Sequence, residues 1–137
     1  MKRLGPPVIG GVVAAFFIML AQSYGPYIEG MLFPVASDTS LELVEDAGNG
    51  WTTISGQSTK RRECTFLELE WLVYDATGRA VKVPFKILEG NVIRGSGVFS
   101  FGPWLAHLSK KQVLEDSVIV EHHRCHPFWV TETRFYP

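Results

Sequence analysis

The chain has 137 residues, of which 13 are basic and 14 acidic, and its formal net charge at pH 7 is −1. This balance argues against a nucleic-acid partner, which requires a basic face. Hydrophobic residues make up 46% of the chain and aromatic residues 12%, a composition that excludes an intrinsically disordered protein. The length leaves room for one membrane anchor and one folded domain.

A long uncharged segment near the amino terminus predicts a membrane anchor. No charged residue lies between Leu4 and Ile28, and Val8–Ala21 is a continuous apolar run. A helix needs about 20 mostly apolar residues to cross the hydrocarbon core of a bilayer. Proline is favoured in the first turn of a helix, whereas glycine and proline mark its end. Gly25-Pro26 therefore limits the predicted transmembrane signal anchor to residues 7–24.

The charges beside the anchor predict its orientation. Lys2 and Arg3 precede the helix, and short basic flanks stay in the cytoplasm. We therefore expect residues 1–6 to be a cytoplasmic tail of a protein in the inner cell membrane. Residues 25–38 then form a juxtamembrane linker, and residues 39–137 form a domain in the periplasm or outside the cell.

Two other interpretations of the apolar segment stay open. Ala21-Gln22-Ser23 resembles the small-residue cleavage site of a secretory signal peptide. Cleavage there would release the domain as a secreted or periplasmic module that binds a ligand or a metal. The third interpretation is a buried helix of a soluble domain, but the segment has no polar face.

The remainder of the chain predicts an all-β antiparallel domain, either an Ig-like sandwich or a small barrel. Short runs of alternating apolar and polar residues are separated by turn residues. Cys64–Asp75 and Arg79–Leu88 read as the two strands of a hairpin, and Pro84 places the second strand at a sheet edge. Ser109 is a predicted cap for a single helical turn. One face of the first hairpin strand is predicted to carry Leu67, Leu69, Trp71 and Val73.

Cys64 and Cys125 are the only cysteines, and both follow the anchor. In an oxidising compartment they are expected to form one disulfide bond. A zinc site made of His123, Cys125 and Cys64 is the weaker alternative, because residues two apart share a strand face and such ligands suit zinc. The clustered histidines His122, His123 and His126 also suit a pH sensor. We expect no cofactor and no bound metal.

Several other groups of residues suit a binding or a catalytic site. Phe99, Phe101 and Trp104 lie in one loop, which would be a partner surface if it were exposed, although core packing is the usual role of such residues. Lys60-Arg61-Arg62 suits an anionic lipid headgroup, an acidic partner or a solvated loop. The pair Glu68 and Glu70 suits either acid–base catalysis or an exposed strand face. The sequence contains no GxSxG, HExxH or phosphate-loop motif, so we expect no enzyme.

These observations predict a single-pass, non-enzymatic accessory or interaction subunit of a membrane or envelope assembly. Its partners would be the lipid bilayer and other membrane or envelope proteins. Arg62–Phe66 and Arg124–Trp129 resemble stretches of small uncharacterised membrane-anchored proteins of bacteria and their phages, and this resemblance implies no activity for any residue.

Overall fold

The computed structural model describes residues 6–88 and 94–137, and its first element is a long helix. Helix α1 extends from Pro6 to Leu32 and contains Pro26 in its interior. The helix therefore continues for eight residues beyond the end predicted at Tyr24, and most of the predicted linker is helical. Packing against the domain accounts for this difference, because tertiary contacts override local propensity. Most of the predicted tail lies outside the described residues.

Helix α1 is long and apolar enough to cross a membrane. Its candidate span, Ile9–Leu32, has 24 residues and a mean hydropathy of 1.4, and its apolar window is not buried by the domain. A signal sequence near an amino terminus meets the same criteria. The helix as a whole is about 40 Å long at 1.5 Å per residue, which exceeds the roughly 30 Å of a bilayer core.

The rest of the described chain forms two antiparallel four-stranded sheets, as the sequence predicted. The first sheet has the strand order β1-β2-β6-β5, and the second has the order β4-β3-β7-β8. The strands are β1 (Ala36–Gly48), β2 (Trp51–Lys60), β3 (Thr65–Tyr74), β4 (Ala80–Lys82), β5 (Phe85–Ile87), β6 (Gly97–Ala106), β7 (Ser117–Arg124) and β8 (Thr131–Tyr136).

The predicted hairpin is only half correct, because its second strand divides at Pro84. β4 pairs with β3, whereas β5 pairs with β6 of the other sheet. Pro84 has no N–H to donate, so the strand breaks there and the chain crosses between sheets. The backbone N–H of Val83 still donates to Trp71 O at 2.8 Å. Both short strands lie at sheet edges, as the proline predicted.

The core lies between the two sheets. The ring centre of Phe135 in β8 lies 5.1 Å from the ring centre of Phe101 and 5.8 Å from that of Trp104, both in β6. Irregular pairing between Phe66 and Glu68 in β3 leaves Leu67 41% exposed. Phe66 packs against the core in its place, so the predicted face is wrong at that one position.

A short helix connects β6 to β7 at one end of the sandwich. Helix α2 extends from Lys110 to Glu115, and Ser109 caps it as predicted. The Ser109 hydroxyl accepts a hydrogen bond from the backbone N–H of Gln112, whose side chain accepts one from the N–H of Ser109. The cap satisfies backbone groups that a helix start leaves without partners.

Candidate functional site at the junction of helix and sandwich

The two cysteines form the predicted disulfide bond. Cys64 lies in the connection between β2 and β3, and Cys125 follows β7, with their Cα atoms 4.6 Å apart. Because both sulfur atoms are bonded to each other, neither can ligate a metal as a thiolate. The alternative zinc site of His123, Cys125 and Cys64 is therefore wrong.

A single carboxylate on helix α1 receives hydrogen bonds from three groups of the sandwich. Oε2 of Glu29 accepts from Trp129 Nε1 at 2.7 Å and from Thr131 Oγ1 at 2.9 Å, and it lies 2.8 Å from His126 Nε2. Its other oxygen lies 2.8 Å from Arg62 Nη2. The side chain of Glu29 is only 13% exposed. We call these five residues the Glu29 cluster.

The disulfide bond holds two members of the Glu29 cluster in place. Arg62 precedes Cys64 by two residues, and His126 directly follows Cys125. The bond therefore fixes the ends of two separate chain segments beside the helix. Arg62 also donates through Nη1 to the carbonyl oxygen of Phe33 at 2.9 Å. This hydrogen bond caps a carbonyl just past the helix end, where such groups lack partners inside the helix.

The helix approaches the sandwich closely at two glycines, and at Gly30 no larger residue fits. A Cβ atom on Gly30 would lie 1.7 Å from the carbonyl oxygen of Glu132 in β8, and one on Gly25 would lie 3.0 Å from the ring of Trp129. By contrast, a Cβ atom on Gly10 or Gly11 would have no neighbour within 4 Å. The two pairs of glycines thus separate the docked end of the helix from its free end.

A second group of polar side chains lies inside the sandwich. Lys60 projects from β2, and Glu121 and His123 project from β7; their exposed fractions are 7%, 8% and 4%. They line a cavity of about 30 Å³ together with apolar core residues. We call these three residues the buried charged cluster. The cavity has room for about one or two water molecules.

The buried charged cluster is incompletely paired. The Lys60 ammonium donates to the carbonyl oxygens of Cys64 at 3.3 Å and Arg94 at 2.5 Å. Glu121 Oε2 lies 3.8 Å from His123 Nε2, and His123 Nδ1 makes no hydrogen bond with the described residues. Burial raises the pKa of Glu121 to about 7 and lowers the pKa of His123 to about 4. Both groups are therefore driven toward their neutral forms.

The outer face of the second sheet brings together Glu68, Glu70 and His122. One potential ligand atom from each lies within 4.8 Å of the others, so their spacing would suit a metal ion. However, the Lys82 ammonium forms an ion pair with Glu70, and His122 Nε2 lies 3.7 Å from the same carboxylate. The ion pair with Lys82 holds the pKa of Glu70 below its usual value. We interpret this group as a surface network of ion pairs.

The predicted partner surface is wrong for two of its three residues. Phe101 and Trp104 are 2% and 4% exposed, and Phe99 is partly buried against the same core. The side chains of Phe101 and Trp104 point from β6 into the core, so these two residues are unavailable to a partner. Glu29, Trp129 and Thr131 belong to no motif that predicts a site from the sequence. The one signal was that Glu29 is the first charge after the anchor.

Comparisons with protein-family models, with curated proteins and with solved structures find no match to this chain. The resemblance of its cysteine-flanking stretches to small membrane-anchored proteins therefore stays a prediction. Any functional conclusion rests on the geometry of the chain itself.

Proposed function

We propose that this protein is a single-pass, membrane-anchored, non-enzymatic accessory subunit of a membrane or envelope assembly. Helix α1 would cross the inner membrane with its amino terminus in the cytoplasm, and the disulfide-bonded sandwich would lie on the outer side. The Glu29 cluster carries this proposal. It joins the anchor to the domain without a flexible linker, so the domain would be presented to partners in one orientation.

The position of the Glu29 cluster along the helix supports this arrangement. A span of about 20 residues from the helix start ends near residue 25, which leaves Glu29 about one turn beyond it. A carboxylate at this level stays outside the hydrocarbon core, where its charge would be costly. The disulfide bond supports an oxidising compartment for the same side.

Cleavage of the segment as a signal peptide is the alternative, and one observation counts against it. The helix is continuous through Ala21-Gln22-Ser23 and beyond. A chain that began near Tyr24 would keep an apolar helical face in water, since Tyr27, Ile28 and Met31 are 65%, 46% and 61% exposed. Such a face favours a helix whose end lies at the membrane interface rather than in water.

The size of the interior cavity supports a role without catalysis. In the buried charged cluster, the pKa values of Glu121 and His123 both depart clearly from their usual range. Perturbed groups of this kind often mark active sites. Here they line a cavity of about 30 Å³, far below the several hundred Å³ typical of sites for small molecules.

The first test of the proposal is an intact mass of the protein extracted from membranes in mild detergent. A mass matching Met1–Pro137 is expected, and protease added outside spheroplasts should digest the sandwich. A mass matching a chain that begins near Tyr24, with recovery in the soluble fraction, would instead establish a released module.

The accessory role needs a test of its own, with matched glycine variants. Gly30→Ala forces the helix away from β8, whereas Gly11→Ala adds a methyl group in open space. Proteins cross-linked to the wild type in membranes should also be recovered with Gly11→Ala and lost with Gly30→Ala. The proposed role of the junction would be contradicted if the wild type were recovered without any cross-linked partner. It would also be contradicted if both variants recovered the same partners equally.

A further inference from the structure

The loop between β7 and β8, residues 125–130, lies beside helix α1 on the side of its membrane span. Gly30 of the helix faces Glu132 in β8, whereas Gly25 faces Trp129 in the loop. Five helical residues correspond to about 7.5 Å along the axis. The chain therefore approaches the membrane-spanning part of the helix as it passes backward from Glu132 to Trp129.

The contact at Gly25 coincides with the expected edge of the hydrocarbon core. A span of about 20 residues from the helix start ends near this glycine. Tyr24 and Tyr27, on either side of it, are 59% and 65% exposed. Tyrosine and tryptophan are enriched at this depth because their rings combine apolar and polar parts. Trp129 thus extends an aromatic belt from the helix to the domain.

The loop exposes a large apolar side chain at the same place. Phe128 is 69% exposed, and its ring centre lies 6.2 Å from that of Trp129. The backbone N–H of Phe128 donates to His126 Nδ1 at 3.2 Å, which helps to fix the loop conformation. Because the Trp129 indole N–H donates to Glu29, the ring is anchored while Phe128 beside it is uncovered.

The apolar surface of the membrane span continues without a break to this loop. A groove of about 670 Å³ follows the helix from Phe17 to its end at Leu32, and Trp129 forms its other wall; its lining is apolar except for Glu29. Its inner end lies within the predicted span, where lipid chains are the solvent. The same lipid layer can therefore fill the groove as far as Trp129, which argues for phospholipid as its occupant.

We propose that the β7–β8 loop inserts Phe128 and Trp129 into the outer-leaflet interface of the bilayer, at the boundary of headgroups and acyl chains. This inference rests on the proposed membrane anchor. Together with helix α1, the loop forms a second contact with the membrane, so the domain neither tilts nor rotates freely about the helix axis. The Glu29 cluster holds the two contacts together, since it joins His126 and Trp129 of the loop to the helix.

Short-range fluorescence quenching by brominated lipid tests this inference on the full chain. The protein is reconstituted in phosphatidylcholine vesicles with and without bromine on the acyl chains. Phe128→Trp adds a fluorophore to the loop and keeps an aromatic ring there. Leu114→Trp is the matched control, because Leu114 is 45% exposed on α2, at the opposite end of β7 from the loop. Each variant is compared with the unmodified chain, which corrects for the native tryptophans.

The expected result is that brominated vesicles remove most of the fluorescence added by Phe128→Trp and little of that added by Leu114→Trp. Equal quenching of both variants, or of neither, would overturn the inference. Flotation of the vesicles on a density gradient separates this failure from failure of the anchor. Protein that floats without quenching at position 128 keeps the anchor and loses the loop contact, and protein that does not float refutes both. Cross-linked dimers without quenching would assign the loop to a second copy of the chain.

Discussion

The Glu29 cluster and the buried charged cluster each surround a carboxylate, but the first favours its ionised form and the second its neutral form. Around Glu29, donors from the sandwich form hydrogen bonds and an ion pair with both oxygens of the ionised carboxylate. Around Glu121, the surroundings are largely apolar, and burial raises the pKa of the acid to about 7. The first arrangement joins two parts of the molecule, whereas the second costs stability in whichever charge state it adopts. A paired, ionised carboxylate and a buried carboxylate that favours its neutral form can therefore be compared within one small protein.

The largest expected effect comes from the disulfide bond, which touches both clusters. Cys64→Ser and Cys125→Ser should each destabilise the domain by about 4 kcal/mol, from the loop entropy of a 61-residue separation. Urea unfolding followed by tryptophan fluorescence measures this loss. Clearly unequal losses, or no loss in either variant, would contradict the bond.

The next largest effect is a pH-dependent change in stability at Glu121. Glu121 has a folded-state pKa of about 7 against an ordinary value of 4.5, so the folded protein binds more protons between these values. Its contribution to stability is therefore lost as the pH rises from 4.5 through 7. Glu121→Gln removes this loss, and its stability relative to the wild type should increase by about 3 kcal/mol from pH 4.5 to pH 7.5.

Unfolding curves of the variant and the wild type at each pH provide the measurement. His123 has the opposite dependence: with its pKa lowered from 6.5 to about 4, its contribution is lost as the pH falls through that window. Comparison at equal pH removes this contribution, which both proteins share. A stability difference that does not change with pH would show that Glu121 is ionised in the folded protein without cost.

A smaller loss is expected at the paired carboxylate. Glu29→Gln keeps the shape of the side chain but weakens its charged hydrogen bonds, each of which contributes about 1.5–3 kcal/mol when fully buried. Arg62 is 32% exposed and can turn to water, so we expect a loss of about 2 kcal/mol. Thermal unfolding in detergent measures it, with the exposed Glu42→Gln as control. Equal stability of the two variants would mean that the Glu29 cluster contributes little.

The smallest effect is expected at an exposed ion pair near the junction. Arg61 Nη2 lies 2.7 Å from Asp38 Oδ2, and the two side chains are 55% and 67% exposed. Asp38→Asn removes the charge and keeps a residue type that tolerates the positive φ of 55°. The loss of stability should be smaller than that of Glu29→Gln, because water screens an exposed ion pair. A loss as large as that of Glu29→Gln would mean that exposure does not distinguish the two pairs.

Local sequence patterns were sufficient for the fold class, and they failed where distant contacts decide. The uncharged run, the alternating strands and the two cysteines predicted the helix, the sandwich and the disulfide bond. The helix end was missed because Gly25-Pro26 normally stops a helix, and here the packing of Gly25 on Trp129 and of Gly30 on β8 extends it. No local pattern in the helix reports a strand about 100 residues away.

The candidate site could be predicted only in fragments. Arg62 and His126 stand in sequence clusters that suit headgroup binding and pH sensing, and neither cluster predicts that the two residues share one acid. Glu29 looked like the first charge beyond the anchor, and its donors come from two distant chain segments, at residue 62 and at residues 126–131. Phe101 and Trp104 were predicted as partner residues and lie in the core instead. A dense aromatic run is as typical of a core strand as of a partner surface.

The central claim is that helix α1 and the sandwich form one rigid unit, and a distance distribution across the junction tests it most directly. Spin labels at Val13→Cys on the helix and Leu114→Cys on α2 occupy exposed positions on either side, and the native cysteines are protected by their bond. Double electron–electron resonance in lipid nanodiscs should give one narrow distance distribution, which Glu29→Gln and Gly30→Ala broaden. A broad distribution in the otherwise unmodified chain would contradict the account, because the domain would then move freely on its anchor.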